Sequence, residues 1–186
     1  MKIGILGGSF NPAHEGHIHI SNIALKSFQL DEIWWLVSPQ NPLKSKFNNS
    51  SLRKRINYAK KISNGYKIRV EDLESKFNTN LTAKTLKIIL ERYKGTKFIW
   101  LMGADNLNEI NKWFNWKNIF NTMPIAVFDR GVYSYSIINS MAGRRYFSKL
   151  YKRKNSISIF NKALPSWKFV HNSKNPISSS HIRKLI

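Results

Sequence analysis

The amino-acid sequence predicts an α/β fold in which an open, mostly parallel sheet carries helices on both faces. Two observations support this prediction. Short apolar runs rich in β-branched and aromatic residues recur along the chain, and the segments between them place apolar residues at helical spacing. The 186 residues contain neither an internal repeat nor a dividing linker, and their number suits one hydrophobic core. We therefore expect a single domain over residues 1–186.

Six short apolar runs are predicted as strands. The first, residues 2–6, is apolar enough to be buried on both faces, which is typical of a strand in a parallel sheet. Residues 98–102 form the next clearest run, and a glycine follows them directly. The other four predicted strands are residues 33–37, 67–70, 124–128 and 168–171.

Helices are predicted where apolar residues recur every three or four positions after a capping residue. The first begins near Glu15 or Gly16, and the second follows Ser51 as its N-cap. A third is capped by Thr82 and stops before Gly95. Two further helices are predicted over residues 133–150 and from Ser179 or Ser180 onward.

The composition excludes several classes of protein. Cysteine is absent, which excludes a disulfide framework, thiol catalysis and thiolate zinc sites. No apolar stretch reaches the roughly 20 residues that cross a bilayer, and the first residues lack the pattern of a signal peptide. These features predict a cytoplasmic protein without a membrane partner.

The formal net charge of +21 is the most unusual feature of the composition. Such a charge can indicate a polyanionic partner, either nucleic acid or a membrane surface. Lysine and arginine are nevertheless spread along the whole chain, as a general bias in composition would produce. We therefore predict no specific nucleic-acid partner, although a basic surface would attract phosphorylated small molecules.

Residues 7–17 connect the first predicted strand to the first predicted helix, at the sheet edge where open α/β sheets bind ligands. Gly7 and Gly8 let the backbone approach a ligand closely. The following helix directs N–H groups and the positive end of its dipole toward an anion. The segment is neither the G-x-G-x-x-G fingerprint nor a Walker A loop. It predicts a phosphate-binding turn.

Two histidines, His14 and His17, lie three residues apart at the start of the predicted helix, so both face nearly the same side. A metal pair is one interpretation, but no cysteine, no clear third ligand and no H-E-x-x-H motif accompany them, so no protein-bound metal is expected. Capping or half-buried histidines are a second interpretation. Donation of ring N–H bonds to phosphate oxygens fits a position directly after a glycine turn best.

Two motifs at opposite ends of the chain carry a family resemblance. Residues 7–17, GGSFNPAHEGH, resemble the G-G-[ST]-F-[DN]-P-x-H-x-G-H signature of the HxGH nucleotidyltransferase superfamily. Residues 177–183, ISSSHIR, resemble its second motif, I-S-S-[ST]-x-I-R. Within the superfamily, residues 80–86, residues 102–107 and the pair Trp113-Phe114 are similar to bacterial nicotinate-nucleotide adenylyltransferases.

This resemblance implies a Rossmann-like fold and the transfer of AMP from ATP to nicotinate mononucleotide, which gives deamido-NAD and pyrophosphate in NAD biosynthesis. The phosphate of the acceptor is already ionised at neutral pH, so no side chain has to act as nucleophile. Catalysis would consist of positioning and charge stabilisation. Mg²⁺ is the expected cofactor, bound mainly through the ATP phosphates.

The resemblance also implies the residues of two binding sites. The implied ATP-binding residues are Gly8, Ser9, Phe10, His14, His17, Gly103, Asp105, Ser178, Ser179 and Arg183. Three of them, His14, His17 and Arg183, are the implied catalytic residues. For nicotinate mononucleotide, Lys44 would reach the phosphate and Trp113 would stack on the pyridine ring. Thr82 and Phe114 would lie near the pyridine carboxylate.

Two alternatives stay open from the sequence. Another adenylyltransferase of the superfamily would use nicotinamide mononucleotide or phosphopantetheine as acceptor, and the preference for the acid rests on the similarity around Thr82 and Trp113. A basic nucleic-acid-binding module without catalysis is the alternative from a different class. The sequence is compatible with a homo-oligomer but does not determine the oligomeric state.

Overall fold

A computed structural model describes residues 1–39, 50–129 and 139–171. Six strands form one sheet, all parallel, in the order β3-β2-β1-β4-β5-β6. All six predicted strands are confirmed, with ends that shift by one or two residues. The strands are β1 Lys2–Gly8, β2 Glu32–Val37, β3 Ile68–Glu71, β4 Lys97–Gly103, β5 Ile125–Phe128 and β6 Trp167–Val170.

Seven α-helices and three 3₁₀ helices lie within the described ranges. The α-helices are α1 Glu15–Phe28, α2 Leu52–Ile62, α3 Leu73–Lys76, α4 Thr82–Arg92, α5 Ala104–Glu109, α6 Trp116–Thr122 and α7 Met141–Arg145. The 3₁₀ helices are Ile110–Lys112, Phe147–Lys149 and Ser156–Asn161. In these ranges no helix is both long and apolar enough to cross a membrane.

The sheet is covered on both faces, as predicted. Because side chains alternate along a strand, neighbouring residues of β1 contribute to two separate hydrophobic cores. Ile5 belongs to the core that includes buried residues of α4, α5, α6 and α7. Leu6 belongs to the core that includes buried residues of α1 and α2. Both cores therefore meet at β1, the third strand of the sheet.

Glycines in β1 make room for large neighbours. A Cβ added at Gly7 would lie 2.2 Å from the Trp100 ring, and one at Gly4 would lie 2.7–2.9 Å from three aliphatic side chains. Gly8 differs, because its nearest contact would be the Phe10 ring at an ordinary 3.5 Å. Gly7 therefore serves the packing of the sheet, whereas packing does not require a glycine at position 8.

Two predicted helix starts have different outcomes. Ser51 is the N-cap of α2, and its hydroxyl accepts the Lys54 N–H bond at 3.4 Å, as predicted. The prediction that Thr82 caps α4 is wrong, because Leu81 is the N-cap and Thr82 is the first helical residue. The Leu81 carbonyl accepts the first intrahelical bond, from the Thr85 N–H at 3.0 Å, and no side chain caps this helix.

The predicted helix over residues 133–150 is wrong in its described part. Residues 139–150 contain the short helix α7 and a 3₁₀ turn instead of one continuous helix. The Tyr146 carbonyl accepts the Lys149 N–H at 2.9 Å in this 3₁₀ turn and also the indole N–H of Trp167 at 2.7 Å. The helix predicted from Ser179 or Ser180 lies outside the described residues.

Gly7→Ala is expected to lower the free energy of unfolding by about 1–3 kcal/mol, because the added Cβ overlaps the Trp100 ring. Gly8→Ala is the matched control, one residue away in the same strand, and should unfold at nearly the wild-type urea concentration. Equal stability of the two variants would contradict the packing role of Gly7.

Candidate active site

The candidate site lies where the order of strands reverses. From β1 the chain forms β2 and β3 on one side and then crosses to β4 on the other, which makes the β1/β4 boundary a topological switch point. The ladder between these strands ends at Leu6 and Leu101, although both strands continue for two residues. The carboxyl ends Gly8 and Gly103 therefore lie on the two sides of this boundary, the position at which open α/β sheets form a crevice for ligands.

Phe10 shapes the turn that follows β1. Its φ of 45° is in the left-handed region, which is uncommon for a bulky residue. The side chain is 1% exposed and stacks on Trp35, with a distance of 5.0 Å between ring centroids. The His17 ring lies 4.7 Å from the Phe10 ring on the same centroid measure. Aromatic packing thus holds the turn in a disfavoured backbone conformation.

His14 and His17 form a reciprocal cap at the start of α1. Nδ1 of His14 accepts the Gly16 N–H bond at 3.1 Å, and Nδ1 of His17 accepts the His14 N–H bond at 3.2 Å. A ring nitrogen that accepts an N–H bond carries no proton, so in each neutral ring the proton is on Nε2. The buried rings are 3.9 Å apart between centroids. Both the capping interpretation and the donor interpretation are therefore compatible with the geometry.

A buried chain of hydrogen bonds ties the first turn of α1 to β2. The indole N–H of Trp35 donates to the Ser21 hydroxyl at 2.9 Å, and that hydroxyl donates to the His17 carbonyl at 2.8 Å. Together with the Phe10–Trp35 stack, these bonds position the histidines relative to the sheet.

Arg55 on α2 is a site residue that the sequence did not reveal. It is 3% exposed, and its guanidinium donates to carbonyl groups of the turn, of the end of β2 and of the start of α2. Burial lowers the pKa of the Arg55 guanidinium. In the sequence Arg55 stands in the run Arg53-Lys54-Arg55, where nothing distinguishes it from solvated neighbours. In the structure it is one of two buried residues of α2, with Ala59 one turn later on the same face.

Glu74 on α3 is buried next to Ser38, the residue that follows β2 and that also contacts Arg55. The Ser38 hydroxyl donates to its carboxylate. Burial raises the pKa of the Glu74 carboxyl, and the hydrogen bond from Ser38 opposes that change. Ser38 thus contacts Glu74 through its side chain and Arg55 through its carbonyl, the latter at 2.7 Å.

Gly103 and Asp105 lie at the same sheet edge as the turn. Gly103 ends β4 and is the N-cap of α5, while Asp105 is exposed in the first turn of that helix. Since parallel neighbours end at one edge, the structure brings both residues to the side of the crevice opposite Gly8.

The residues predicted for the second substrate gather around α4 and the start of α6. Trp113 is half-buried and packs against the core, so it also has a structural role. Phe114 is 56% exposed, and the Lys84 ammonium lies 5.7 Å from its ring centroid. Phe114 therefore lies next to the first turn of α4, which begins at Thr82. The predicted site residues Lys44, Ser178, Ser179 and Arg183 lie outside the described residues.

Comparison with known proteins gives consistent results. A family model described as cytidylyltransferase-like matches residues 5–185. A relative from Cereibacter sphaeroides, named "Probable nicotinate-nucleotide adenylyltransferase", is 40% identical over 183 residues, which cover 98% of this chain and 96% of the relative. A relative of the same name from Ruegeria sp. (strain TM1040) is 40% identical over 184 residues, which cover 99% and 97%.

Solved structures resemble the fold as well. The Plasmodium falciparum nicotinic acid mononucleotide adenylyltransferase complexed with NaAD has a TM-score of 0.73 at 23% identity, with 98% of this chain and 82% of that chain covered. The same enzyme complexed with APC has a TM-score of 0.71 at 22% identity. At these identities the likeness concerns the fold.

The strand order, the turn at the switch point and the family model define the class: the chain belongs to the cytidylyltransferase-like family. The 40% identity over nearly the full length of two relatives narrows the assignment. Within that family, the chain is a member of the nicotinate-nucleotide adenylyltransferases.

Glu74→Gln is expected to raise the free energy of unfolding at pH 7 and to change it little near pH 4.5. The folded pKa of Glu74 is raised, so the cost of burying its charge is fully present above that pKa and disappears as the pH falls to the unfolded value. Urea denaturation at both pH values measures the effect. The exposed Glu109→Gln is the control, and an equal effect of Glu74→Gln at both pH values would contradict the role of ionisation.

Proposed function

We propose that this protein is an enzyme that transfers AMP from ATP to nicotinate mononucleotide and releases pyrophosphate and deamido-NAD. One observation carries the proposal: His14 and His17, whose Nδ1 atoms accept backbone N–H bonds, lie in the Gly8–His17 turn at the switch point of a parallel sheet. The names of the relatives at 40% identity support the same reaction.

The turn suits the charge that develops during adenylyl transfer. The in-line attack of one phosphate on the α-phosphorus of ATP increases negative charge on oxygen atoms near the leaving pyrophosphate. An imidazole Nε2–H donates to such oxygens without itself losing a proton. Because His14 and His17 are buried, these donors act where water competes little. Position 8 bears no Cβ although packing does not require a glycine there, which leaves space for a ligand.

The acceptor is proposed to bind between α4 and α6. Phe114 offers an exposed aromatic face, and Thr82 begins α4, where N–H groups at the helix start suit a carboxylate. Trp113, half-buried beside Phe114, would stack on the pyridine ring. Lys44, Ser178, Ser179 and Arg183 remain predicted contacts to the phosphates.

Mg²⁺ is proposed as the cofactor. It would be bound mainly through the ATP phosphates, because Mg²⁺ usually binds through substrate phosphates and few protein ligands. When bound there, it would neutralise phosphate charge. We also propose that the enzyme acts in the cytoplasm on free nucleotides, while a homo-oligomer remains a prediction.

Release of pyrophosphate from ATP is expected to be fastest with nicotinate mononucleotide as acceptor. Nicotinamide mononucleotide and phosphopantetheine should be offered in parallel, each with and without EDTA. Faster turnover of either alternative would overturn the choice of acceptor. Salt-sensitive RNA binding without turnover of any acceptor would instead favour the nucleic-acid-binding module. Turnover that persists in EDTA would contradict the role of Mg²⁺.

His14→Asn is expected to lower turnover by about 10²–10³-fold, the usual cost of one lost donor to a developing oxyanion. Asparagine is a favoured N-cap residue, so the start of α1 should keep its cap, whereas alanine would remove it. The matched control is His19→Asn on the same helix. Comparison of initial rates and of melting temperatures separates the two effects, and near-wild-type turnover of His14→Asn would contradict the assigned role.

A further inference from the structure

The Arg55 guanidinium connects three segments of the chain through their backbones. Nη1 donates to the carbonyls of Ser9 at 2.5 Å and Ser38 at 2.7 Å. Nη2 donates to the Pro39 carbonyl at 2.9 Å, and Nε donates to the Ser50 carbonyl at 2.9 Å. Four of the five N–H groups of this side chain are therefore directed at carbonyl oxygens.

This arrangement uses the shape of the guanidinium rather than its charge alone. In the part of the chain that the structure describes, Arg55 forms no ion pair with a carboxylate. A lysine ammonium is a compact charge with three donors on one atom, and it cannot reach carbonyls on separate segments in the same way. A buried arginine with four carbonyl partners therefore indicates that backbone geometry is being held.

Hydrogen bonds to two carbonyl groups, those of Gly8 and Ser9, determine where the N–H groups of the turn point. In a planar trans peptide the carbonyl and the following N–H point in opposite directions. The Gly8 carbonyl accepts the Ser38 N–H at 2.9 Å, on the side of β2, so the Ser9 N–H points to the side of β4, where the crevice lies. The Ser9 carbonyl points to Arg55, so the Phe10 N–H points away from Arg55.

Rotation of the peptide between Ser9 and Phe10 would relieve an unfavourable backbone conformation. The φ of 45° at Phe10 is disfavoured for a bulky residue, and a half-turn of this peptide would return φ to the ordinary negative region. The same half-turn would direct the Ser9 carbonyl oxygen where the Phe10 N–H now points. An oxygen in that position would repel a phosphate. The bond from Nη1 of Arg55 to the Ser9 carbonyl opposes this rotation.

We propose that Arg55 is a positioning residue for the nucleotide site, because its guanidinium holds the Ser9–Phe10 peptide with the N–H group directed toward the bound phosphates. The assignment of phosphates to this turn rests on the proposed function. Arg55 acts through the turn and is not itself a contact to the substrate.

Arg55→Lys keeps the positive charge and should nevertheless lower kcat/KM for ATP by about 10²-fold, the cost of one misdirected donor. Arg53→Gln is the matched control, because it removes a charge from the exposed face of the same helix. It should change kcat/KM less than twofold. Full activity of Arg55→Lys would show that charge alone suffices and would overturn the proposal.

A comparison of ligands distinguishes positioning from general loss of structure. The Kd of inorganic tripolyphosphate and the Kd of adenosine are measured for wild type, Arg55→Lys and Arg53→Gln. Arg55→Lys should weaken tripolyphosphate at least tenfold more than adenosine, because only the former contacts the turn. Equal weakening of both ligands would indicate a merely structural role and would overturn the proposal.

The wild-type protein provides a test that needs no variant to fold. Titration with tripolyphosphate should shift the backbone ¹⁵N–¹H resonances of Ser9 and Phe10 more than those of Gly65 or Gly95, which lie in distant turns with open surroundings. Absence of these shifts would overturn the proposed N–H orientation. Shifts without pyrophosphate release from any acceptor would leave the inference standing while the proposed function fails.

Discussion

Burial of β1 on both faces is the constraint on which the rest of the structure depends. This strand contributes Ile5 to one core and Leu6 to the other, and its glycines admit the bulk of Trp100 and of aliphatic side chains. A strand so enclosed has only its ends near solvent. Since all six strands are parallel, the carboxyl ends share one edge, and the polar residues that follow them converge there.

At that edge, hydrogen bonds to backbone groups hold the turn and the start of α1 in place. The turn after β1 is held by bonds to the carbonyls of Gly8 and Ser9, and α1 begins with rings that accept backbone N–H bonds. Side chains such as Arg55 and His14 therefore have a structural role toward the backbone besides any contact with a ligand. Because of these two roles, a substitution that removes the side chain also removes a hydrogen bond to the backbone.

The strands, and the position of the glycine–histidine turn between β1 and α1, could be predicted because both follow from short-range patterns. Apolar runs indicate buried strands, and a glycine turn before a helix indicates an anion site at the sheet edge. The helix predicted over residues 133–150 was wrong in its described part because the chain forms a 3₁₀ turn after Tyr146, where the Tyr146 carbonyl also accepts a bond from Trp167, 21 positions later in the sequence. The cap of α4 was missed because the N-cap is Leu81, one residue before Thr82, and it has no capping side-chain hydrogen bond that a sequence pattern could indicate.

Arg55 shows the same limit within the site. Its contact with Ser9 joins residues 46 positions apart, and no spacing rule connects them. In a chain with 31 lysine and arginine residues, the sequence pattern does not separate one buried cation from the many exposed ones. Only the fold distinguishes Arg55 from Arg53, two residues away on the same helix.

The left-handed backbone at Phe10 has a consequence for affinity. A glycine there would adopt this conformation readily but would also leave the free turn to sample many others. With a phenylalanine wedged between Trp35 and His17, the loss of conformational entropy occurs when the chain folds, not when a ligand arrives. A nucleotide that binds to such a pre-organised turn retains more of its contact energy as affinity.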